Sequence, residues 1–128
     1  MRLLLDTHTF LWFVWDDPQL SAAARAFIEA PANRCMVSLA SCWEIAIKAG
    51  KRKLVLGAAA KVFINREVAR NGLEFLEISL PHATAIETLP QHHNDPFDRL
   101  LIAQALIENI PVVSVDKAFD PYGLSRLW

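Results

Sequence analysis

Short apolar stretches that each end at a polar or acidic residue are the feature of this chain that most restricts its fold. Arg2–Asp6 is the first stretch, Cys35–Leu39 is the second, and Pro111–Val115 is a third that runs directly into Asp116. Short, uninterrupted apolar runs are typical of strands that are buried on both faces. Because helical stretches separate them, the sequence predicts an α/β fold with an open, mostly parallel sheet and helices on both faces.

Capping signals bound the predicted helices. Ser21 is suited to an N-cap, Gly50 to a C-cap, and Asp95 followed by proline matches an N-cap with proline at the first helical position. The predicted helices are Ala22–Ala30, Ser41–Ala49, Ala58–Arg70, Pro81–Leu89 and Pro96–Glu108, and further strands are predicted at Glu74–Ser79 and Leu124–Trp128.

The length of 128 residues predicts a single domain, residues 1–128, which can bury a core without a disulfide or a structural metal. The longest uncharged runs are nine residues long, well short of the ~20 residues that span a bilayer. Asp6 interrupts the apolar start, which argues against a secretory signal. Cys35 and Cys42 form no CxxC pair, so we expect them to be two small buried thiols. Together these features predict a soluble, cytoplasmic protein without a membrane partner.

Basic residues are concentrated in one segment. Residues 45–70 carry seven basic side chains and one acidic side chain, a net charge of +6, which leaves −7 for the rest of the chain. Such a segment is suited to contacts with the phosphates of a nucleic acid. A solvated helix face with ordinary surface lysines explains the same pattern.

Four acidic residues fall at or near the carboxyl ends of the predicted strands. Asp6 and Asp116 end two strands, Glu44 lies in the first turns of the helix that leaves the second strand, and Asp98 lies in the first turn of the long buried helix. Ligands of open α/β sheets bind at this edge. Two carboxylates ~5 Å apart repel by ~3 kcal/mol. A cluster of four is therefore tolerable only if some groups stay protonated or if cations neutralise it. The hard divalent cations that carboxylates suit are Mg²⁺ and Mn²⁺.

Each of these acids also has an explanation that needs no metal. Asp6 and Asp116 are placed to cap the helix or turn that follows, and Asp98 suits the positive end of a helix dipole. Glu44 lies four residues before Lys48 and is able to form an ion pair with it.

Other polar side chains lie near the same edge. Thr7 and Ser38 are placed to orient a carboxylate or to hold a water at the metal. Arg99 is expected to pair with an acid, and His92 and His93 are expected to be solvated loop residues, although contact with a substrate is an alternative.

Four segments together resemble the signature blocks of one known family. They are Leu4–His8, Ser38–Lys48, Asp95–Ala105 and Val113–Asp116. In this order and spacing they resemble the blocks of PIN-domain nucleases, and most closely those of the VapC-type toxins of bacterial toxin–antitoxin pairs. The resemblance covers nearly the whole chain.

The resemblance implies a three-layer α/β/α sandwich and a Mg²⁺- or Mn²⁺-dependent endoribonuclease, normally a homodimer held inactive by a cognate antitoxin. Carried over residue by residue, the catalytic cluster is Asp6, Glu44, Asp98 and Asp116, with Asp6 and Asp98 as metal ligands and Asp95 as a cap or outer group. The implied reaction is hydrolysis of an RNA phosphodiester by a metal-activated water, leaving 5′-phosphate and 3′-hydroxyl ends.

Two further surfaces are expected from these arguments. The aromatic segment after the first strand contains Trp12 and Trp15, and we expect them to lie against an antitoxin helix because such a segment cannot bury every ring. The residues expected to position the RNA are Thr7, Ser38, Lys48, Lys51, Arg52 and Lys53.

Two other functions stay open on the sequence alone. One is a phosphatase or phosphotransferase with Asp6 as its nucleophile, although such sites usually have a second acid where this chain has His8. The other is a catalytically inactive RNA- or protein-binding module of the same fold.

Overall fold

The computed structural model describes residues 1–128, in which five short strands alternate with six helices. Two 3₁₀ segments, Ala85–Glu87 and Lys117–Tyr122, complete the regular structure. The elements in chain order are β1 (Arg2–Leu5), α1 (Thr7–Val14), α2 (Ala22–Glu29), β2 (Arg34–Ser38), α3 (Leu39–Gly50), α4 (Ala60–Arg70), β3 (Glu74–Leu76), α5 (Leu80–Thr84), α6 (Pro96–Glu108), β4 (Val112–Val113) and β5 (Arg126–Leu127).

The five strands form one sheet in the order β3-β2-β1-β4-β5, and every pair is parallel. The chain adds β2 and β3 on one side of β1 and then returns to place β4 on the other side. The strand order therefore reverses between β1 and β4. In such sheets the crevice at the carboxyl ends beside the reversal is where ligands bind.

Alternate side chains of β1 enter two separate cores. Leu3 and Leu5 belong to a core that includes Phe10 of α1, Ile28 of α2 and residues of α3 and α4. Leu4, on the opposite face, belongs to a second core with residues of α6 and of the 3₁₀ segment before β5. Successive strand residues point to opposite faces, so the sheet is covered on both sides, and the predicted three-layer α/β/α sandwich is confirmed.

Local capping explains where the helices begin and end. α6 begins at Pro96 and ends at Glu108, as predicted, with Asp95 as its N-cap and Asn109 in the left-handed conformation at its end. α3 begins at Leu39, two residues before the prediction, because Ser38 accepts a hydrogen bond from the Ala40 amide and caps the helix. The predicted helix 81–89 is shorter: α5 ends at Thr84, and a 3₁₀ segment follows it.

Two smaller expectations are also resolved. Both cysteines are free, but only Cys35 is buried and Cys42 is half-buried, so the prediction of two buried thiols is wrong for Cys42. Burial raises the pKa of each thiol to about 11. None of the helices is long and apolar enough to cross a bilayer.

Candidate active site

The register of the sheet sets three polar residues side by side at its carboxyl edge. Asp6 follows β1, Ser38 ends β2, and Ser114 follows β4, and the residues that precede them are paired across the sheet. Asp6 therefore lies between two serines. All three side chains are buried, so their polar atoms need partners within the protein.

Asp6 caps α1 and lines a cavity at the same time. Its Oδ1 accepts a hydrogen bond of 2.8 Å from the Thr9 amide, and its Oδ2 accepts one from the Ser114 hydroxyl. The cap that the sequence offered as an alternative is therefore present. Each carboxylate oxygen can accept more than one bond. Capping α1 therefore does not prevent Asp6 from contacting a ligand in the cavity.

Glu44 is brought to the same edge by α3, with a side chain that is only 9% exposed. Thr7 donates a hydrogen bond of 2.7 Å to Glu44 Oε1, and Lys48 Nζ lies 2.7 Å from Glu44 Oε2. The ion pair that the spacing suggested is formed. Both contacts hold the carboxylate of Glu44 in place, and Thr7 is thus a residue that orients an acid.

The remaining acids are held by helix ends. Asp95 Oδ1 accepts hydrogen bonds from the amides of Phe97 and Asp98 at 2.8 and 3.2 Å. Asp116 Oδ1 accepts one of 2.9 Å from the Ala118 amide and so caps the 3₁₀ segment. These bonds fix the backbone from which Asp98 and Asp116 reach the cavity.

A cavity of about 570 Å³ lies among these side chains, at the reversal of the strand order. The structure brings Asp6, Glu44, Asp98 and Asp116 together around it, and it adds Asp95. Five carboxylates thus face one lysine ammonium. The lining residues are Asp6, Thr7, His8, Glu44, Lys48, His93, Asp95, Asp98, Val115 and Asp116.

The carboxylates act on one another most strongly at Asp98. Burial raises the pKa of Asp98, the negative charges of Asp95, Asp6, Glu44 and Asp116 raise it further, and together they bring it to about 7. Four acids from four different segments therefore lie close enough to Asp98 to oppose its ionisation. Oxygen donors with an excess of negative charge are the ligands that hard divalent cations prefer.

His93 also lines this cavity, which corrects the expectation that it is a solvated loop residue. Its Nε2 lies 3.5 Å from Asp98 Oδ2, and single ligand atoms of His93, Asp98 and Asp116 all lie within 4.8 Å of one another. His92 is exposed and packs edge-on against Tyr122. The signal in the sequence for this placement was that His93 lies two residues before Asp95, the N-cap of α6.

Ser114 was the other residue that the sequence reasoning missed. Besides donating to Asp6, its hydroxyl accepts a hydrogen bond of 3.0 Å from the Asp116 amide. One buried hydroxyl thus links two acids that are 110 residues apart in the sequence. A serine between an apolar strand and Asp116 was the only local signal for this role.

Arg99 is buried and pairs with no acid, so the expected ion pair is wrong. Its guanidinium donates to the backbone oxygens of Leu89, Pro90 and His93 at 3.2, 2.9 and 3.3 Å. It also lies 3.4 Å from the hydroxyl of Tyr122. Arg99, which belongs to α6, therefore anchors the loop that contains His93.

We expect Arg99→Ala to lower the free energy of unfolding by about 2–3 kcal/mol, because three carbonyls lose a charged donor. Urea denaturation followed by circular dichroism measures this change. Arg34→Ala is the matched control: Arg34 pairs with Glu74 on the surface, and its loss is expected to change little. Equal stabilities for the two variants would contradict the role of Arg99.

Several residues expected to position RNA lie elsewhere. Ser38 is fully buried, and its hydroxyl donates to Gln104 Oε1, so it caps α3 and does not reach the cavity. Lys51 and Arg52 are exposed in the turn after α3 and do not line the cavity. Lys53 lines a smaller adjoining cavity of about 380 Å³ together with Lys48. Of the six residues expected to position RNA, Thr7 and Lys48 thus line the acidic cavity.

The two tryptophans expected at the antitoxin surface differ in exposure. Trp12 is half-buried and packs edge-on against Trp128, with 6.0 Å between ring centroids. Trp15 is 42% exposed, and its ring lies 6.2 Å from that of Phe63 on α4. Of the pair, Trp15 therefore offers the larger free surface.

The molecule is thus an α/β protein whose parallel sheet has an acidic cavity at the reversal of its strand order. Its fold is similar to that of VapBC2 from Rickettsia felis bound to a DNA fragment from its promoter, at 17% identity, a TM-score of 0.73 and 100% coverage of both chains. It is also similar to DNA-bound VapBC from Salmonella typhimurium, at 17% identity, a TM-score of 0.68 and 98% and 96% coverage of this chain and that one. VapBC-1 from nontypeable Haemophilus influenzae gives 17% identity, a TM-score of 0.66 and the same coverage.

The family is shown by the sequence itself. The PIN domain model matches residues 3–123, and the chain belongs to the PIN domain family. A search of curated proteins finds no match.

Proposed function

We propose that this protein is a divalent-metal-dependent endoribonuclease that acts as the toxin of a toxin–antitoxin pair. The observation that carries the proposal is the cavity in which five carboxylates face one ammonium. Two carboxylates ~5 Å apart repel by ~3 kcal/mol at an effective dielectric constant of ~20. A fold that gathers five of them is best explained by a cation that neutralises them.

The donor set fits Mg²⁺ or Mn²⁺. All five acids offer oxygen atoms, and no thiol lines the cavity, so the site suits hard cations. We assign Asp6 and Asp98 as ligands, with Glu44 and Asp116 completing the site. When bound there, the ion activates water for attack on a phosphodiester and stabilises the leaving oxygen.

The chain's own side chains hold this arrangement. Ser114 and the Thr9 amide fix Asp6, whereas Thr7 and Lys48 fix Glu44. Lys48 lines the acidic cavity, and Lys53 lines the adjoining one. Both ammonium groups are suited to contact the phosphates of RNA. RNA as the substrate rests on the resemblance to VapC-type toxins. The similar folds in VapBC complexes support an antitoxin as the partner.

The alternative functions have less support. A phosphatase with Asp6 as its nucleophile usually has a second acid two residues further on, and this chain has His8 at that position. An inactive binding module would have no need of five mutually repelling acids, and none of the four predicted catalytic acids is absent.

The test is to map RNA 5′ ends in cells after brief expression of the wild type and of Asp98→Asn. We expect new 5′-phosphate ends with the wild type only, since the variant lacks a metal ligand. Glu87→Gln, which removes an exposed acid far from the cavity, is expected to give the wild-type cuts. Cuts shared by the wild type and Asp98→Asn would refute the catalytic role of Asp98.

The antitoxin surface gives a separate prediction. We expect Trp15→Ala to weaken binding of the cognate antitoxin at least about tenfold, because exposed tryptophans often carry much of an interface's binding energy. Leu80→Ala is the control, since Leu80 is 75% exposed but belongs to α5. Calorimetric affinities that do not change with Trp15→Ala would remove this surface from the proposal.

The homodimer that the resemblance implies stays a prediction. Light scattering of the protein alone measures it.

A further inference from the structure

The ring of His93 enters the acidic cavity from a loop, and its two nitrogens have different surroundings. Nδ1 accepts a hydrogen bond of 3.0 Å from the Asp95 amide. Nε2 points toward the carboxylates and lies 3.5 Å from Asp98 Oδ2, longer than an ordinary hydrogen bond. The ring thus has one engaged nitrogen and one nitrogen that faces the cavity.

The Asp95 amide selects the tautomer of this ring. A backbone N–H always donates, so Nδ1 must offer it a lone pair. An imidazole whose Nδ1 has a free lone pair carries its proton on Nε2. His93 therefore presents an N–H group, not a lone pair, to the five carboxylates.

This tautomer argues against a metal–His93 bond, although His93 lies among potential ligands. To bind an ion through Nε2, the neutral ring would have to move its proton to Nδ1. That proton would then face the Asp95 amide hydrogen, and the amide would lose its acceptor. The same loop would be disturbed at the residue that caps α6.

The ring is also held firmly in this orientation. Arg99 donates to the His93 carbonyl at 3.3 Å, and Asp95 caps the helix that carries Asp98. His93, Asp95 and Asp98 thus belong to one local unit. A donor fixed beside the candidate metal ligands is suited to a group with negatively charged oxygens that enters with the ion.

We propose that His93 positions the substrate by donating its Nε2–H to a non-bridging oxygen of the phosphate that is cut, and that it does not bind the metal. This inference rests on the proposed function, because it takes a phosphodiester to be the ligand of the cavity. It adds a hydrogen-bond donor to a site whose one ammonium group, that of Lys48, is already engaged by Glu44.

The experiment compares three variants of the full chain. We expect His93→Ala to lower the rate of RNA cleavage about 10- to 100-fold, because a hydrogen bond to a charged phosphate is lost. His93→Gln, whose amide can donate from a similar position, is expected to recover most of that loss. His92→Ala, which changes the neighbouring exposed histidine, is the control and is expected to cleave at the wild-type rate.

Two readouts do not depend on cleavage. Calorimetry with Mn²⁺ is expected to give the same affinity for the wild type, His93→Ala and His93→Gln. Long-range ¹H–¹⁵N spectra of the wild type are expected to show the His93 proton on Nε2 both without and with Mg²⁺.

Several results would overturn the inference. A tenfold or greater loss of Mn²⁺ affinity in His93→Ala, or loss of the Nε2 proton on addition of Mg²⁺, would make His93 a ligand. Wild-type cleavage by His93→Ala would remove its role while the proposed function stands. A wild-type protein that cuts no RNA would instead refute the proposed function, and the substrate contact with it.

Discussion

Purified protein carrying Asp6→Asn is expected to cleave RNA at least about 1,000-fold more slowly than the wild type, a loss of ~4 kcal/mol in transition-state stabilisation. Asp6 lies between Ser38 and Ser114 at the reversal of the strand order. The asparagine keeps an oxygen for the cap of α1 but loses the negative charge. The fold should persist while the ion loses a ligand. Single-turnover cleavage of labelled RNA in excess Mg²⁺ measures the effect.

Two further variants separate the effect of the Asp6 charge from that of the hydrogen bond that orients its carboxylate. Ser114→Ala keeps the Asp6 carboxylate but removes the hydroxyl that orients it, and we expect a loss of about 10- to 100-fold. Glu87→Gln, which removes an exposed acid that does not line the cavity, should cleave at the wild-type rate. An Asp6→Asn protein with more than a tenth of wild-type activity would show that Asp6 is not a ligand.

The second large effect is expected on stability, and it has the opposite sign. In metal-free buffer at pH 8, Asp98→Asn should raise the free energy of unfolding by about 1–3 kcal/mol. The pKa of Asp98 is raised to about 7, first by burial and then by its acidic neighbours, so ionising it costs the folded state. The lost attraction to the helix N-terminus, about 0.5 kcal/mol, is smaller than this gain.

The pH dependence of this gain follows from the same shift. A raised folded pKa means that the folded protein holds the proton more tightly than the unfolded chain. The penalty is therefore absent below about pH 4, where both states are protonated, and it is complete above about pH 7. Urea denaturation across this range should show the two proteins converging in acid.

Metal ions are expected to offset this difference in stability between the two proteins. Mn²⁺ at about 100 times its Kd stabilises the wild type by ~2.7 kcal/mol, or roughly 5–10 °C in Tm, and it should stabilise Asp98→Asn much less. Differential scanning calorimetry with and without Mn²⁺ compares them. A variant that is less stable than the wild type without metal, or that gains as much from Mn²⁺, would contradict the electrostatic account of the cavity.

Local signals in the sequence predicted most of the helices and strands, and the edge of the sheet at which the acids lie. Asp95 and Pro96 specify the start of α6 because a cap and a fixed φ act on adjacent residues. Short apolar runs predict the buried strands, and this signal too is contained within a few neighbouring residues. A residue that directly follows a parallel strand lies at the carboxyl edge of the sheet, as Asp6 does after β1. Asp116 lies three residues after β4 and lines the cavity at the same edge.

Which polar groups contact one another depends on how distant segments of the chain assemble. Ser114 joins Asp6 and Asp116 because β4 returns beside β1, and no local pattern encodes that strand order. The Ser38 hydroxyl donates to Gln104 and not into the cavity. His93 lines the cavity because Arg99 and the Asp95 amide hold its loop in place. Capping and periodicity act over a few residues, whereas a hydrogen bond between distant segments depends on how the whole sheet is assembled.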